Sequence, residues 1–256
     1  MNTLSPLAQK VIEKYLALPL GAGCSTPYFN NRRKRIRGGL RALVGKGAPE
    51  EIAEEAEMFS IRERAGIKKM ESGALKRFLV DHNLGIDCSG LAYQVLEAES
   101  LARTGKRLRS AVRPWSGFKR RLLHIVRPSE NSGVSTFSHS QNSIAVSEAD
   151  IRAGDFISII GTGAEKKYNH MMVVESVEAS GSTKKINYIH SYMWPEDGLY
   201  DHGVRRGIIS IENDTPIISG VWTEKGKMSK DNYTFMSAQS AKDISIRRLR
   251  VFASMM

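Results

Sequence analysis

Residues 85–96 read GIDCSGLAYQVL, with Cys88 between Asp87 and Ser89 at the start of an apolar run. A thiol becomes a nucleophile when its thiolate is stabilised, and a helix N-terminus does this with unpaired N–H groups and the positive end of its dipole. Asp87 suits the N-cap, which puts Cys88 in the first turn. Ser89 and Gly90 are small and leave a substrate room to approach. The competing reading is an inert buried cysteine, so the chemistry needs a base from elsewhere in the chain.

Six histidines are available: His82, His124, His139, His170, His190 and His202. His170 opens the β-rich segment HMMVVESV, and His190 falls late in KINYIHSYMW. If the turn between these segments centres at Ser180 or Gly181, residue 170 pairs with about residue 190 or 192 in an antiparallel ladder. His170, Met172 and Val174 then share a face with Tyr188 and His190. His170 would take the thiol proton and later protonate a leaving amine. His190 would fix the tautomer and orientation of His170, and the Cys88 backbone N–H would help bind an oxyanion. The other four histidines read as surface or core residues.

Cys24 and Cys88 are the two cysteines of the chain, too few for a disulfide scaffold. With no HExxH and no paired CxxC, the spacing points to no metal site, and thiol chemistry needs no cofactor. The stretch GGLRALVGKG is not a phosphate-binding loop. Gly47 follows Gly45-Lys46 where a magnesium-binding hydroxyl is needed, and Gly39 is one residue too far upstream.

The elements that must position these residues change period along the chain. Residues 5–18 read as a helix with Leu7, Val11, Ile12 and Tyr15 on its inner face, ended by Pro19 and Gly21. APEEIAEEAEMF reads as a second helix burying Ile52, Ala56 and Phe59, GALKRFLVDHNL as a third, and Asp87 onward as a fourth. Residues 103–150, basic and then rich in Ser and Asn, read as an insertion or long loop. The final third holds GDFISIIG, HMMVVESV, KINYIHSYMW, GIISIEN and ISIRRLRVF, all strand-like. Helices first and strands afterwards indicate an α+β fold.

DCSGL at 87–91, AGD at 153–155, the strand-initial His170 and IHS at 189–191 resemble the NlpC-type cysteine peptidases, with HGVRRGIISI as the strand that follows. The resemblance spans roughly residues 85–212. It implies a papain-like fold with N-terminal helices packed on an antiparallel sheet, and cleavage of amide bonds in peptides of bacterial cell walls. By it Cys88 is the nucleophile, His170 the base and His190 the third polar member. Tyr28, in TPYFNN, corresponds to a tyrosine near the oxyanion hole, and Asp87 and Ser89 border the substrate. Residues 1–80 are then a helical extension, and 81–256 a catalytic domain with a basic insertion at about 103–150.

The 256-residue chain carries a net charge of +11, unevenly spread. Seven basic residues and no acid lie between Arg32 and Lys46, and nine more with no acid between Arg103 and Arg127. Such runs suit a solvated surface or an anionic partner. No stretch is long and apolar enough to span a membrane, and the N-terminus lacks a signal-peptide pattern, so a cytoplasmic chain is expected. Three functions stay open at this level: a cysteine peptidase or amidase, a non-catalytic polyanion binder on the same fold, and a thiol acyltransferase with the same triad.

Overall fold

A computed structural model describes residues 2–30, 39–115, 117–212 and 214–253. Mixed helices and one antiparallel sheet make the fold α+β. The strands are β1 (Asn2–Thr3), β2 (Ser143–Ala145), β3 (Phe156–Thr162), β4 (Tyr168–Ser180), β5 (Thr183–Tyr192), β6 (Gly203–Glu212), β7 (Val221–Glu224), β8 (Lys227–Met228) and β9 (Asp243–Leu249). Their order is β2-β9-β3-β4-β5-β6-β7-β8, and β1 adds to β4.

Helix α1 spans Pro6–Leu16, α2 Pro49–Glu63, α3 Ser72–Asp81 and α4 Cys88–Thr104. Pro6 and Pro49 sit in the first turns of α1 and α2, where a missing N–H costs nothing. Helix α1 buries Ala8, Ile12 and Tyr15. Leu7, expected on that face, is 45% exposed; the small Ala8 turns inward in its place. One face of the sheet offers Phe156, Met171, Val173, Ile189 and Val204 to α4 and α1, in a core that also takes Ile52 and Leu75. Each such side chain, fully buried, contributes about 1.5–3 kcal/mol. Three further helices are α5 (Phe118–Val126), α6 (Val134–Ser138) and α7 (Tyr233–Gln239), and the other face of the sheet buries Ile157, Ile159, Met172, Val174, Tyr188 and Trp222 against Phe235 of α7.

Residues 103–150 are not a plain loop. They carry α5, α6 and β2, which extends the sheet by pairing with β9, and Leu108, Val112, Val134 and Phe137 bury in the main core. Apolar residues at those four positions give the segment a core-facing side that its basic composition hides. Of the first basic run, Arg32, Arg33, Lys34, Arg35 and Arg37 lie outside the described residues.

The β4–β5 hairpin turns at Gly181–Ser182, later than the expected centre, since Ser180 pairs with Thr183. That register alone would put His170 and His190 on opposite faces. A bulge between Val174 and Ser176 adds one residue, so that Ser176↔Asn187 gives way to Val174↔Tyr188 and Val173↔Ile189. The extra residue, Glu175, accepts the Leu4 N–H at 3.0 Å and is held by Arg206 at 2.8 and 2.7 Å. Above the bulge His170, Met172, Tyr188 and His190 share one face, as expected, for a reason the sequence reading did not contain.

Gly207 lies opposite Tyr188 on β6, and a Cβ there would meet the tyrosine ring at 2.2 Å. Its bare Cα lets Tyr188 lean across β6 so that its hydroxyl donates to Glu224 Oε2 at 2.9 Å. Gly207→Ala should therefore destabilise the protein by about 1–3 kcal/mol, read as a lower urea midpoint. An unchanged midpoint would mean that Tyr188 has other room.

Candidate active site

The β4–β5 ladder ends at Val173↔Ile189, whereas β5 stays paired to β6 through Tyr192↔Gly203. The two strands therefore part beyond Val173, and the start of α4 enters the gap. Segment 85–87 is tied down on both sides: Ile86 N–H donates to the Pro27 carbonyl at 2.9 Å, and the Ile86 carbonyl accepts from Phe29 N–H and Ser191 Oγ. Gly85 and Gly90 allow this, because a Cβ on either would meet a backbone oxygen, of Pro27 at 2.4 Å or Gly45 at 2.5 Å.

Asp87 caps α4, its Oδ1 accepting Gly90 N–H at 2.6 Å. Cys88 is the first residue of the helix and is buried, with the backbone N–H groups of Met171 and Ser89 favouring its thiolate. Against them, burial first and the Asp87 charge second push the thiol up to about 12. The acidic thiol expected from the helix N-terminus is thus not found; desolvation outweighs the dipole. Burial raises Cys24 as well, to about 11.

His170 follows the same rule in the opposite sense. Burial, then the neighbouring His190 and Arg205, push its pKa well below the ordinary 6.5, which keeps the ring neutral. His170 Nε2 and His190 Nδ1 are hydrogen-bonded at 2.8 Å. His190 Nε2 lies 3.1 Å from Glu224 Oε1, a close polar contact set off the N–H axis rather than a well-aligned hydrogen bond. Glu224 Oε2 accepts from Tyr188 and, at 3.0 Å, from Thr234. Burial opposes ionisation of Glu224, but His190, Arg205 and these donors outweigh it and hold the carboxyl below its usual range. Arg205 is itself fixed by Asp197 at 2.6 Å.

Tyr28 lies close enough to Cys88 for the two ionisations to oppose each other. Burial above all keeps its phenol protonated well above the usual value, and its oxygen accepts from Asn30 Nδ2 at 3.0 Å, leaving the O–H to donate. The Tyr28 backbone N–H donates to His202 Nδ1 at 3.0 Å, so His202 is a buried support rather than a surface residue. Tyr192 stacks on His170, ring centres 4.2 Å apart. A cleft of about 310 Å³ is lined by Tyr28, His202, Asn30, Asp81, Met193 and Leu199.

Sequence reasoning missed Glu224, Tyr192 and Lys46. Lys46 is nearly buried, and its Nζ donates to Asp87 Oδ1 at 2.8 Å and Ser89 Oγ at 2.6 Å. It belongs to the GKG stretch set aside above as a failed phosphate loop. Gly45, at φ +74°, accepts the Asp87 N–H and turns the chain so that Lys46 reaches under the helix start. Among the described residues no cluster of potential metal ligands occurs. No protein-family model, no curated protein and no solved structure matches this chain.

Lys46 offsets the Asp87 charge beside the thiol. Lys46→Met should lower stability by about 3–5 kcal/mol, because it leaves a largely buried carboxylate unpaired, and should slow alkylation of Cys88 at mildly alkaline pH. Lys46→Arg should recover part of both. Unchanged alkylation in a folded Lys46→Met protein would remove Lys46 from the electrostatics of the thiol.

Proposed function

We propose that this chain is a cysteine peptidase or amidase of papain-like architecture, acting on peptidoglycan-derived or similar small peptides. One observation carries the reading: the line Glu224–His190–His170, drawn from β7, β5 and β4, ends beside the backbone N–H that faces a helix-initial cysteine. The substrate class rests on the resemblance of DCSGL, His170 and IHS to the NlpC-type enzymes.

In this reading the resting pair is neutral thiol and neutral imidazole, so proton transfer accompanies attack. His170 Nε2–H donates to His190 Nδ1, and His190 Nε2–H faces Glu224, which leaves His170 Nδ1 to take the thiol proton. Cys88 Sγ bonds to the carbonyl carbon, and the oxyanion meets the Cys88 N–H and the Tyr28 hydroxyl. His170 then returns the proton to the leaving amine as the C–N bond breaks. Water, deprotonated by His170, attacks the thioester carbon, the C–S bond breaks to release the acid, and His170 returns the proton to Cys88 Sγ. Asp87 and Ser89 hold the helix start through Lys46. A second acceptor in place of water would make the same site a transferase.

The test is turnover of cell-wall tripeptides and tetrapeptides, followed by release of new amines and by the mass of an acyl-enzyme. Cys88→Ala and His170→Ala should each lose at least about 10³-fold in kcat. Turnover that survives Cys88→Ala would overturn the reading, and an amide product formed with added amine would reassign it to acyl transfer. The pH profile carries a further expectation. Burial disfavours the imidazolium, so the base stays neutral to lower pH, and the acid limb of kcat/KM should fall below 6.5. An acid limb at or above that value would show that His170 is not the titrating base.

A further inference from the structure

Helix α5 leaves unusually large apolar side chains in solvent. Leu122, Leu123, Ile125 and Val126 are 54–79% exposed, and Trp115, just before the helix, is 50% exposed. Only His124 of residues 121–126 turns inward, its ring against the backbone of Arg109 and Val112. A folded protein rarely leaves so dense an aliphatic surface uncovered without a partner for it.

The charge around this surface selects the partner. The chain has no acidic residue from Arg103 to Arg127. Lys106, Arg107, Arg109, Arg113 and Arg121 are exposed, and Lys119 and Arg120 belong to the same helix in sequence. A second copy would bring a second cationic helix against the first, and like charges would oppose the apolar contact. A nucleic acid would use the charge, but a face of leucine, isoleucine and valine is not the aromatic platform on which single-stranded bases stack. An anionic bilayer uses both: cations sit among lipid headgroups while the aliphatic side chains and the indole enter the interface.

We infer that α5, with Trp115, is an interfacial anchor that lies on anionic phospholipid membranes. The anchor is peripheral, since no helix among the described residues is long and apolar enough to cross a bilayer. It does not depend on what the Cys88 thiol does.

Co-sedimentation of the full chain with phosphatidylcholine vesicles, with and without phosphatidylglycerol, tests this. Binding should require phosphatidylglycerol and weaken as salt is raised. The double variant Leu122→Glu, Ile125→Glu should bind at least about tenfold more weakly, with an unchanged unfolding midpoint because both positions are exposed. Failure to sediment with anionic vesicles at low salt would overturn the inference. So would full binding by the double variant, which would leave charge alone responsible. Self-association lost in the double variant would assign the face to a second copy, and duplex DNA binding without vesicle binding would assign the charge to nucleic acid.

Discussion

A strand gives its side chains two directions, and the extra residue Glu175 decides which of them His170 takes. From the turn upward, the β4–β5 register would face His170 and His190 apart. The bulge reverses the parity, and the contacts of His170 follow from that reversal: its 2.8 Å contact with His190 and the stacking of Tyr192 on its ring. The bulge is not left to chance. Leu4 holds its carbonyl and Arg206 its carboxylate, so the first residues of the chain and a neighbouring strand both fix it. Val177 and Val174 lie in the same core on either side of the bulge although their numbers differ in parity, which is its signature in packing.

The second constraint is electrostatic. A cysteine at a helix N-terminus suggests an acidic thiol, but here burial outweighs the helix and opposes the thiolate. The same burial keeps His170 neutral. Cys88 and His170 are therefore both held un-ionised. Opposite charges meet where Asp87 contacts Lys46 and where Glu224 contacts Arg205. In our reading, a substrate carbonyl supplies the driving force that the resting site withholds.

Much of this was legible in the residues themselves. Asp87 as a cap follows from its type and place, and the strands follow from alternation and turn residues. The shared face of the histidines was inferred from a turn placed one residue early, and a bulge invisible to pattern compensated. Glu224 could not be found by spacing, because it lies two strands away and reaches the site across Gly207. Lys46 was visible but was judged only against a phosphate-loop template; its role depends on a positive φ at Gly45 and on the close approach of Gly90. Leu7 was misplaced because a helix packed tightly can prefer alanine inside and leucine out. The 103–150 segment hid four core residues beneath a basic composition.

The position of β9 has its own consequence for how the molecule is made. This strand, Asp243–Leu249, lies between β2 and β3 rather than at an edge. It is the last of these strands to emerge from the ribosome, yet β2 has no place in the sheet until β9 has entered. From its own emergence until that of β9, β3 therefore shows an open flank of unpaired backbone groups, the surface that draws in foreign strands. The sheet closes only once β9 has emerged, and until then the nascent chain depends on its speed of closure or on a chaperone's cover.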